Sequence, residues 1–220
     1  MAPQIHQGQI AGTHWDPRQV SLRRAGRVYS LSKFAGSPKA HVHSDLSGLK
    51  LSIGAQGVEK SMLKIVDGSL LDSDCQYLAH QCNCYSRRGA GLASAIFKVF
   101  PWADVYSSRS ERRNDASLFG SITVHGDPGR NQRCVINIYG QLKPGKPSSG
   151  RDSAASRIEA FGKALDQIAK FPELESIGFP YGIGCGLAGG DWNEYEKLLE
   201  DFAKRVGGRG VSVILYRLGQ

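Results

Sequence analysis

Two glycine-rich segments, GAGLA at residues 89–93 and GIGCG at residues 182–186, constrain the fold of this chain more than any other feature. Each segment follows a short apolar run typical of a buried strand and precedes a stretch whose apolar residues have helical spacing. A strand, a tight glycine turn and a helix are the parts of an α/β unit, in which strand ends and helix starts meet at one edge of a sheet. The two segments therefore predict an α/β sheet with both loops at its carboxyl edge.

The other apolar patterns alternate between strands and helices. Helices are predicted just past Gly91 to Phe100, over residues 154–170, and from about residue 192 to 206. An apolar run at residues 62–66 is followed by predicted strands at 77–80, 122–124, 134–139, 176–179 and 211–216. GDPGRN separates two of these strands and is a turn signal, so they should pair as an antiparallel hairpin. The order predicts a three-layer α/β/α domain with a mixed, largely parallel sheet.

Residues 1–60 differ in composition from the rest of the chain. They show no sustained apolar period and hold eight Lys or Arg against three Asp or Glu, so five of the eight net positive charges lie there. We predict a basic N-terminal extension, loop-like or partly ordered, ahead of a domain at residues 61–220. Clustered basic residues favour nucleic-acid phosphates, so binding of nucleic acid through this extension is one alternative. An organelle-targeting role of its arginine-bearing start also stays open.

The cysteines and the apolar runs indicate where in the cell the protein is expected. The chain has five cysteines, an odd number without a secretory signal, which favours free thiols and a cytoplasmic or nuclear location. No run approaches the roughly 20 apolar residues of a membrane-spanning helix, so we expect no membrane partner. Cys82, Cys84 and His80 lie close in sequence, but they lack a Cys-x-x-Cys pair and a fourth ligand. We therefore expect no metal and no cofactor.

The glycine loops have the chemistry of an anion site. The N–H groups of residues 89–93 lie at the start of a helix, where the helix dipole favours negative charge. In the second loop, the alternate glycines allow the backbone to approach a phosphate without a Cβ in the way. Either loop alone is typical of a tight connection, and neither matches a Walker loop or a Gly-x-Gly-x-x-Gly fingerprint. Together, at one sheet edge, they predict a diphosphate site.

Three motifs, LAHQCNCYSRRGAGLASAIFKVFP, VINIYGQ and PYGIGCGLAGGDW, occur in the order and spacing seen in macro domains. Over about residues 61–218 the chain resembles this family, above all the branch of ADP-ribose 1''-phosphate phosphatases and terminal ADP-ribosyl-glutamate hydrolases. The resemblance implies a macro domain that binds ADP-ribose, or a derivative of it, in a cleft at the strand ends. The adenine would lie near Ser69 and Leu70, the diphosphate between the loops, and the distal ribose near Asn83.

The resemblance and the aromatic candidates together define a substrate-binding set. These residues are Ser69, Leu70, Asn83, Gly89, Ala90, Gly91, Leu92, Tyr139, Gln141, Tyr181, Gly182, Ile183, Gly184, Cys185, Gly186 and Leu187. Many macro domains have an aspartate at the position of Ser69, so the acidic partner of the adenine amino group is either Asp67 or absent.

Asn83 and His80 are the predicted catalytic residues. The resemblance implies that Asn83 contacts the distal ribose and helps place a water, work that suits an amide because it offers a donor and an acceptor. His80 is a candidate for proton transfer, and a structural role at the end of a buried strand is the equal alternative. Gln141 and Ala188 stand where the glutamate-linkage hydrolases have a lysine and an aspartate. The covalent-lysine mechanism is then open only through Lys143.

These observations lead to one expected function and two alternatives. We expect a hydrolase that removes the phosphate from ADP-ribose 1''-phosphate. The first alternative is a mono-ADP-ribosyl hydrolase acting on ADP-ribosylated protein or nucleic acid. The second is a non-catalytic reader that binds ADP-ribosylated protein.

Overall fold

The computed structural model describes residues 63–109 and 115–219. The predicted basic extension at residues 1–60 lies outside the described residues, as do residues 110–114. Among the helices of the described part, none is both long enough and apolar enough to cross a membrane.

Six strands and three α-helices alternate along the described chain. The strands are β1 (Leu63–Asp67), β2 (Tyr77–Asn83), β3 (Ile122–His125), β4 (Cys134–Gln141), β5 (Ser176–Pro180) and β6 (Ser212–Arg217). The helices are α1 (Leu92–Val99), α2 (Ala154–Ile168) and α3 (Trp192–Gly207). Short 3-10 helices occur at Leu70–Asp72, Pro101–Ala103, Ala116–Leu118, Pro128–Arg130 and Gly150–Asp152.

The strands form one sheet in the order β1-β6-β5-β2-β4-β3. All neighbouring strands are parallel except β3 and β4, which pair as an antiparallel hairpin at the edge. The predicted mixed, largely parallel sheet with one antiparallel edge is therefore confirmed. Because β2 and β5 are neighbours, the two glycine loops leave the sheet side by side.

Apolar side chains cover both faces of the sheet. Ala79 and Ile136 belong to the hydrophobic core under α2 and α3, whereas Leu78 and Val135 belong to the core under α1. Successive residues of a strand point to opposite faces, so the runs of successive buried residues in β2 and β4 indicate burial on both sides of the sheet. The three-layer α/β/α arrangement predicted from the sequence is confirmed.

Side-chain caps begin the two long helices. The Ser153 hydroxyl accepts a hydrogen bond from the Ser156 N–H at 3.1 Å and caps α2. The Asp191 carboxylate caps α3 by accepting from the Asn193 N–H at 3.0 Å. Each cap satisfies an N–H group that the first helical turn leaves without an intrahelical partner.

Candidate functional site

A cleft opens at the carboxyl ends of β2 and β5. Its main cavity, about 350 Å³, lies between the first glycine loop (residues 84–91) and the second glycine loop (residues 181–191). Its lining residues are His80, Gln81, Ala90, Gly91, Leu92, Ala93, Gln141, Pro180, Tyr181, Gly182, Ile183, Gly184, Gly186, Leu187 and Ala188. The carboxyl edge of a parallel sheet is where α/β proteins commonly bind their ligands.

A side cavity of about 110 Å³ adjoins the main cavity and extends toward Asn83. It also contains Ser86, Arg88, Tyr106, Pro144 and Gly145. The two cavities share the lining residues Gln81, Ala90, Ala93, Gln141, Leu187 and Ala188. The shared residues make the two cavities adjoining parts of one cleft.

Main-chain N–H groups are the chief polar groups of both loops. In the second loop, the N–H groups of Ile183, Cys185, Gly189 and Gly190 donate to carbonyls of residues 180–186. The N–H groups of Gly182, Gly184, Gly186 and Leu187 have no protein acceptor within the described structure. At the end of the first loop, Gly91 and the first α1 residues, Leu92 and Ala93, supply N–H groups that likewise have no acceptor among the residues described. Both loops therefore present donors to an anion.

Local packing explains why these loops need glycine. Gly184 has a φ of +78°, and a Cβ there would lie 2.4 Å from Cζ of the buried Tyr195 ring. Gly91 has a φ of +55°, and its Cβ would lie 3.3 Å from Cδ1 of Leu187. The Leu187 side chain thus reaches from the second loop to the first loop, although 69% of the residue is exposed. The two loops meet above the cleft through this contact.

An irregularity in the sheet places Gln81 on the cleft floor. The pairing of β2 with β4 runs from Gln81 opposite Ile138 to Asn83 opposite Gln141, so β4 has one more residue than β2 over this interval. A β-bulge of this kind re-aims the side chains beside it. The Gln81 side chain lies over Gly140, where a Cβ would come within 2.6 Å of its Oε1 atom. Both Gln81 amide atoms are buried and without a hydrogen-bond partner in the described structure.

Asn83 lines the side cavity, but its side chain is already engaged. Its Oδ1 atom accepts from the N–H groups of Tyr85 at 3.0 Å and Ser86 at 2.6 Å. Its Nδ2 atom donates to the Tyr106 hydroxyl at 3.2 Å. The oxygen therefore shapes the start of the first glycine loop, and a second N–H of Nδ2 remains for a ligand.

His80 is held inside the protein. Its Nε2 atom lies 2.6 Å from Oδ1 of Asn137, and its ring makes an edge contact with Phe97. Burial lowers the pKa of His80 to about 4, although the hydrogen bond to Asn137 acts in the opposite direction. A neutral, buried imidazole with an engaged nitrogen is poorly suited to proton transfer at neutral pH. The geometry favours the structural alternative for His80.

The loop between β4 and α2 (residues 142–153) forms another wall of the side cavity. Asp152 and Arg157 are both buried, and their carboxylate and guanidinium pair through two contacts of 2.8 and 2.9 Å. Asp152 also accepts from the N–H groups of Leu142 and Lys143. Burial raises the pKa of Asp152, but Arg157 and these N–H groups together hold it below its usual value.

Arg157 extends this network to both sides of the cleft. Its Nη1 atom donates to the carbonyl of Gly145 at 2.7 Å and to that of Ala188 at 3.1 Å. Its Nη2 atom donates to the carbonyls of Lys143 and Lys146. The Lys143 side chain is exposed and is not part of the lining of either cavity.

Several residues of the predicted substrate-binding set lie outside the cleft lining. The Ser69 hydroxyl accepts from the Leu71 N–H and caps a 3-10 helix, and Leu70 is buried in the core under α1. Tyr139 is also buried in that core, because it lies two residues inside the end of β4. Gly89 packs on the backbone of α1, and the Cys185 thiol lies 3.4 Å from the Ile183 carbonyl.

The remaining predicted residues come together at the cleft. They are His80, Asn83, Ala90, Gly91, Leu92, Gln141, Tyr181, Gly182, Ile183, Gly184, Gly186 and Leu187. Asp67, the candidate acid for adenine, instead accepts from Arg217 Nε at 2.7 Å and is absent from the cavity lining. This hydrogen bond and the charge of Arg217 lower the pKa of Asp67.

Sequence reasoning missed both Gln81 and Arg109. The signal for Gln81 was a polar residue inside a largely buried strand. The Nη1 atom of Arg109 donates to the carbonyls of Asn83 and Ser86 at 2.9 Å. Its guanidinium also lies over the rings of Tyr106 and Tyr139. Arg109 therefore supports the first glycine loop from below.

The cysteines near the cleft are protonated at neutral pH. Burial raises the pKa of both the Cys82 and the Cys84 thiol to about 12, against a lowering effect of nearby Arg109. All five cysteines are unpaired. No three His, Cys, Asp or Glu side chains in residues 63–109 and 115–219 come together as a metal site.

Comparisons with known proteins identify the fold. No protein-family model matches the chain. An uncharacterized 17.5 kDa protein in the tk-vs intergenic region of Enterobacteria phage T4 is 25% identical over 150 residues, which cover 66% of this chain and 92% of that protein. The macrodomain of Mycobacterium tuberculosis DarG matches with a TM-score of 0.55 and 22% identity, over 71% of this chain and 97% of that chain.

A further solved structure, Thermosipho africanus DarTG in complex with ADP-ribose, matches with a TM-score of 0.54 and 21% identity. The match covers 70% of this chain and 41% of that chain. These likenesses show that the described part of this chain has the macrodomain fold, as the sequence resemblance predicted.

Proposed function

We propose that this protein binds ADP-ribose, or a group that ends in ADP-ribose, in the cleft between its glycine loops. The observation that carries the proposal is the set of N–H groups from both loops along one cavity that have no acceptor among residues 63–109 and 115–219. Main-chain donors at a helix start and in a glycine turn suit the oxygens of a diphosphate. The ADP-ribose bound to the similar Thermosipho protein supports this choice of ligand.

The shape of the cleft gives the ligand a direction. The diphosphate would lie between the loops, and the distal ribose would extend into the side cavity toward Asn83. The adenosine would lie at the opposite end, beside Tyr181, whose ring packs against Trp192 at 4.7 Å and lies under Arg217. An aromatic ring of this kind is a suitable surface for a purine.

We further propose hydrolysis of the 1''-phosphate of ADP-ribose 1''-phosphate as the reaction. Water attacks the phosphorus atom and the bond from phosphorus to the ribosyl oxygen breaks. A proton passes from the water to that oxygen, which leaves inorganic phosphate and ADP-ribose. This chain contributes N–H groups that stabilise the negative charge of the transition state and the remaining Asn83 N–H that orients the distal ribose.

A reader function is the second candidate, and one observation favours it. His80 and Tyr181 are the titratable side chains of the main cavity lining, and the His80 imidazole is buried and bonded to Asn137. The cleft thus has donors for binding but no solvent-facing carboxylate or imidazole in its described lining. The hydrolase alternative through Lys143 has less support, since Asp152 and Arg157 hold the Lys143 backbone and its side chain is absent from the lining.

A matched pair of charge substitutions tests the proposed binding site. Ala90 lines both cavities, and Ala90→Asp would place a carboxylate beside the diphosphate. Ser94→Asp adds the same charge one helical turn away at an exposed residue. We expect calorimetry to show ADP-ribose binding to the wild type, a loss of about 100-fold in Ala90→Asp and a change of about threefold or less in Ser94→Asp. No saturable binding of ADP-ribose by the wild type would contradict the proposal.

Phosphate release then separates the two candidate functions. Incubation with ADP-ribose 1''-phosphate should release inorganic phosphate with the wild type and about tenfold less with Asn83→Ala, at similar ADP-ribose affinity. Binding of ADP-ribose with no release above background would eliminate the phosphatase and leave the reader and the ADP-ribosyl hydrolase alternative.

A further inference from the structure

The amide of Gln81 is a polar group that the described fold leaves unsatisfied. Neither Nε2 nor Oε1 has a hydrogen-bond partner in the described part of the chain, and both atoms are buried. The hydroxyl of Tyr195 is a polar neighbour. Burial raises the pKa of Tyr195 and the Gln81 amide lowers it, but the two groups do not reach hydrogen-bond geometry. A buried amide in this state destabilises the protein, since it has lost its hydrogen bonds to water.

The residues beside Gln81 make this state unusual. Asn83 uses both ends of its amide, and Nε2 of Gln141 donates to the Gly145 carbonyl at 3.3 Å. His80 is paired with Asn137. Each of these polar side chains therefore has a structural function in the cleft floor. Gln81 has no such hydrogen bond in the part of the chain that the structure describes, although it occupies a position in a largely buried strand.

The backbone holds the Gln81 side chain in its place. The β-bulge opposite Gln81 brings Gly140 beneath it, and any Cβ at Gly140 would collide with the amide. Gln81 lines both the main and the side cavity, so this residue lies where the two cavities meet, with its amide buried directly behind their surface. Its position is thus between the expected sites of the diphosphate and the distal ribose.

The chemistry of an amide decides between these two groups. Phosphate oxygens accept hydrogen bonds only, and the loop N–H groups already provide donors for them. Ribose hydroxyls both donate and accept, and a side-chain amide offers one acceptor and one donor group on adjacent atoms. A pair of neighbouring hydroxyls is therefore the better complement to Gln81.

We propose that Gln81 is a specificity residue whose amide hydrogen-bonds the distal ribose hydroxyls and makes the protein prefer ADP-ribose to ADP. This inference rests on the proposed binding of ADP-ribose. It also predicts that the Gln81 amide lowers the stability of the empty protein and raises its affinity for ADP-ribose. The reason is that the amide is unpaired in the empty cleft and paired in the occupied one.

The test compares Gln81→Met with Gln76→Met. Methionine matches glutamine in length and flexibility and removes both polar atoms. Gln76 is a matched control, since its amide donates to the Glu173 carbonyl and accepts from the Glu175 N–H, each at 2.8 Å, away from the cleft. Calorimetry gives the Kd for ADP-ribose and for ADP, and thermal unfolding without ligand gives Tm.

In Gln81→Met we expect the affinity for ADP-ribose to fall by about tenfold or more, the affinity for ADP to stay within about twofold, and Tm to stay equal or rise. In Gln76→Met we expect both affinities to stay unchanged and Tm to fall by about 2–4 °C. Gln81→Asn keeps the amide but shortens the side chain by one methylene. It should lose most of the preference for ADP-ribose as well.

The contrary outcomes are distinct. If the wild type binds ADP-ribose and Gln81→Met binds it equally well, the inference is wrong and the proposed function stands. An equal loss for ADP and ADP-ribose would assign Gln81 to the diphosphate and also overturn the inference. A Gln81→Met variant that unfolds or has a clearly lower Tm would contradict the unpaired state of the amide. If the wild type binds neither ligand, the proposed function fails and the inference fails with it.

Discussion

Two loops at the carboxyl edge of the sheet differ in how their main-chain N–H and carbonyl groups are hydrogen-bonded. The loop between β4 and α2 directs its polar main-chain groups inward, where Arg157 and Asp152 bind the carbonyls and N–H groups. The second glycine loop has alternate N–H groups without a protein partner in the described structure. Both loops connect a strand to a capped helix, so the difference lies in what satisfies the backbone between them.

One of these loops stabilises the structure, and the other keeps hydrogen-bond donors for a ligand. Buried main-chain groups need partners, and a buried ion pair can supply several of them at once. The β4–α2 loop is therefore a scaffold in which one buried ion pair binds several main-chain groups. The second glycine loop keeps its donors at the cleft, where a ligand can use them. Arg157 joins the two loops because it also donates to the Ala188 carbonyl.

Removal of the buried Asp152 carboxylate should destabilise the β4–α2 loop and give the largest loss of stability among these variants. Asp152→Ala leaves Arg157 as an unpaired buried charge and frees two N–H groups. We expect a loss of about 3–5 kcal/mol in the free energy of unfolding, measured by urea denaturation. The control is Glu159→Ala, which breaks an exposed ion pair with Lys163 and should cost about 0.5 kcal/mol or less. Similar losses in both variants would contradict a scaffold role for Asp152.

The free energy of unfolding measured against pH extends the comparison to β2, below the cleft. There the His80 imidazole is hydrogen-bonded to Asn137 inside the protein. Its folded pKa of about 4 is below its ordinary value of 6.5. Between these values the unfolded chain binds a proton that the folded chain excludes, so stability falls as pH falls from about 6.5 to about 4. The expected contribution of His80 is about 3 kcal/mol across this window.

Two variants test whether His80 causes this dependence of stability on pH. His80→Gln should have a flatter stability profile between pH 4 and 6.5, even if its stability at pH 7 is lower. The pKa of half-buried His125 is also lowered by burial, so His125→Gln serves as the control and should keep most of the slope. An unchanged slope in His80→Gln would show that its imidazole is not buried as a neutral group.

A methyl group tests the conformation of the second glycine loop. Gly184→Ala places a Cβ at a positive φ and against the Tyr195 ring, so we expect a loss of about 2 kcal/mol and weakened ADP-ribose binding. Gly186→Ala is the matched control, because no atom lies within 4 Å of its Cβ and its φ is outside the positive range. Its stability should change by about 0.5 kcal/mol or less. Equal thermal stability of the two variants would be inconsistent with the packing described.

The helix caps give the smallest effect and should not differ between the two connections. Ser153→Ala and Asp191→Ala each remove one side-chain cap, from α2 and α3 respectively. We expect each to reduce the free energy of unfolding by about 1 kcal/mol, measured by thermal or urea denaturation. A much larger loss for one cap would mean that the two connections differ at the helix starts as well.

Most of the fold could be predicted from the sequence because its signals are local. The apolar spacing of α2 and α3, the turn at GDPGRN and the glycines at strand ends each act over a few residues. The α2 helix ends at Ile168, two residues before the predicted end, and α3 ends at Gly207, one residue later than predicted. Helix ends fray and are the least determined part of such predictions.

The site was harder to predict because its details are set by long-range contacts. Leu70 and Tyr139 looked like ligand residues, but the depth of Tyr139 within β4 and the packing of Leu70 against Gly178 place them in the core. Gln81 reaches the cleft floor over Gly140, a residue 59 positions further on that lies on another strand. No periodicity or motif around residue 81 contains that information.

The contact surface for the diphosphate is made of main-chain groups, and this has a practical consequence. Backbone donors are the same in any protein that adopts similar turns, so compounds that rely on them would inhibit many such proteins alike. A compound selective for this protein would need to reach side chains such as Gln81 on the cleft floor or Leu187 at its mouth.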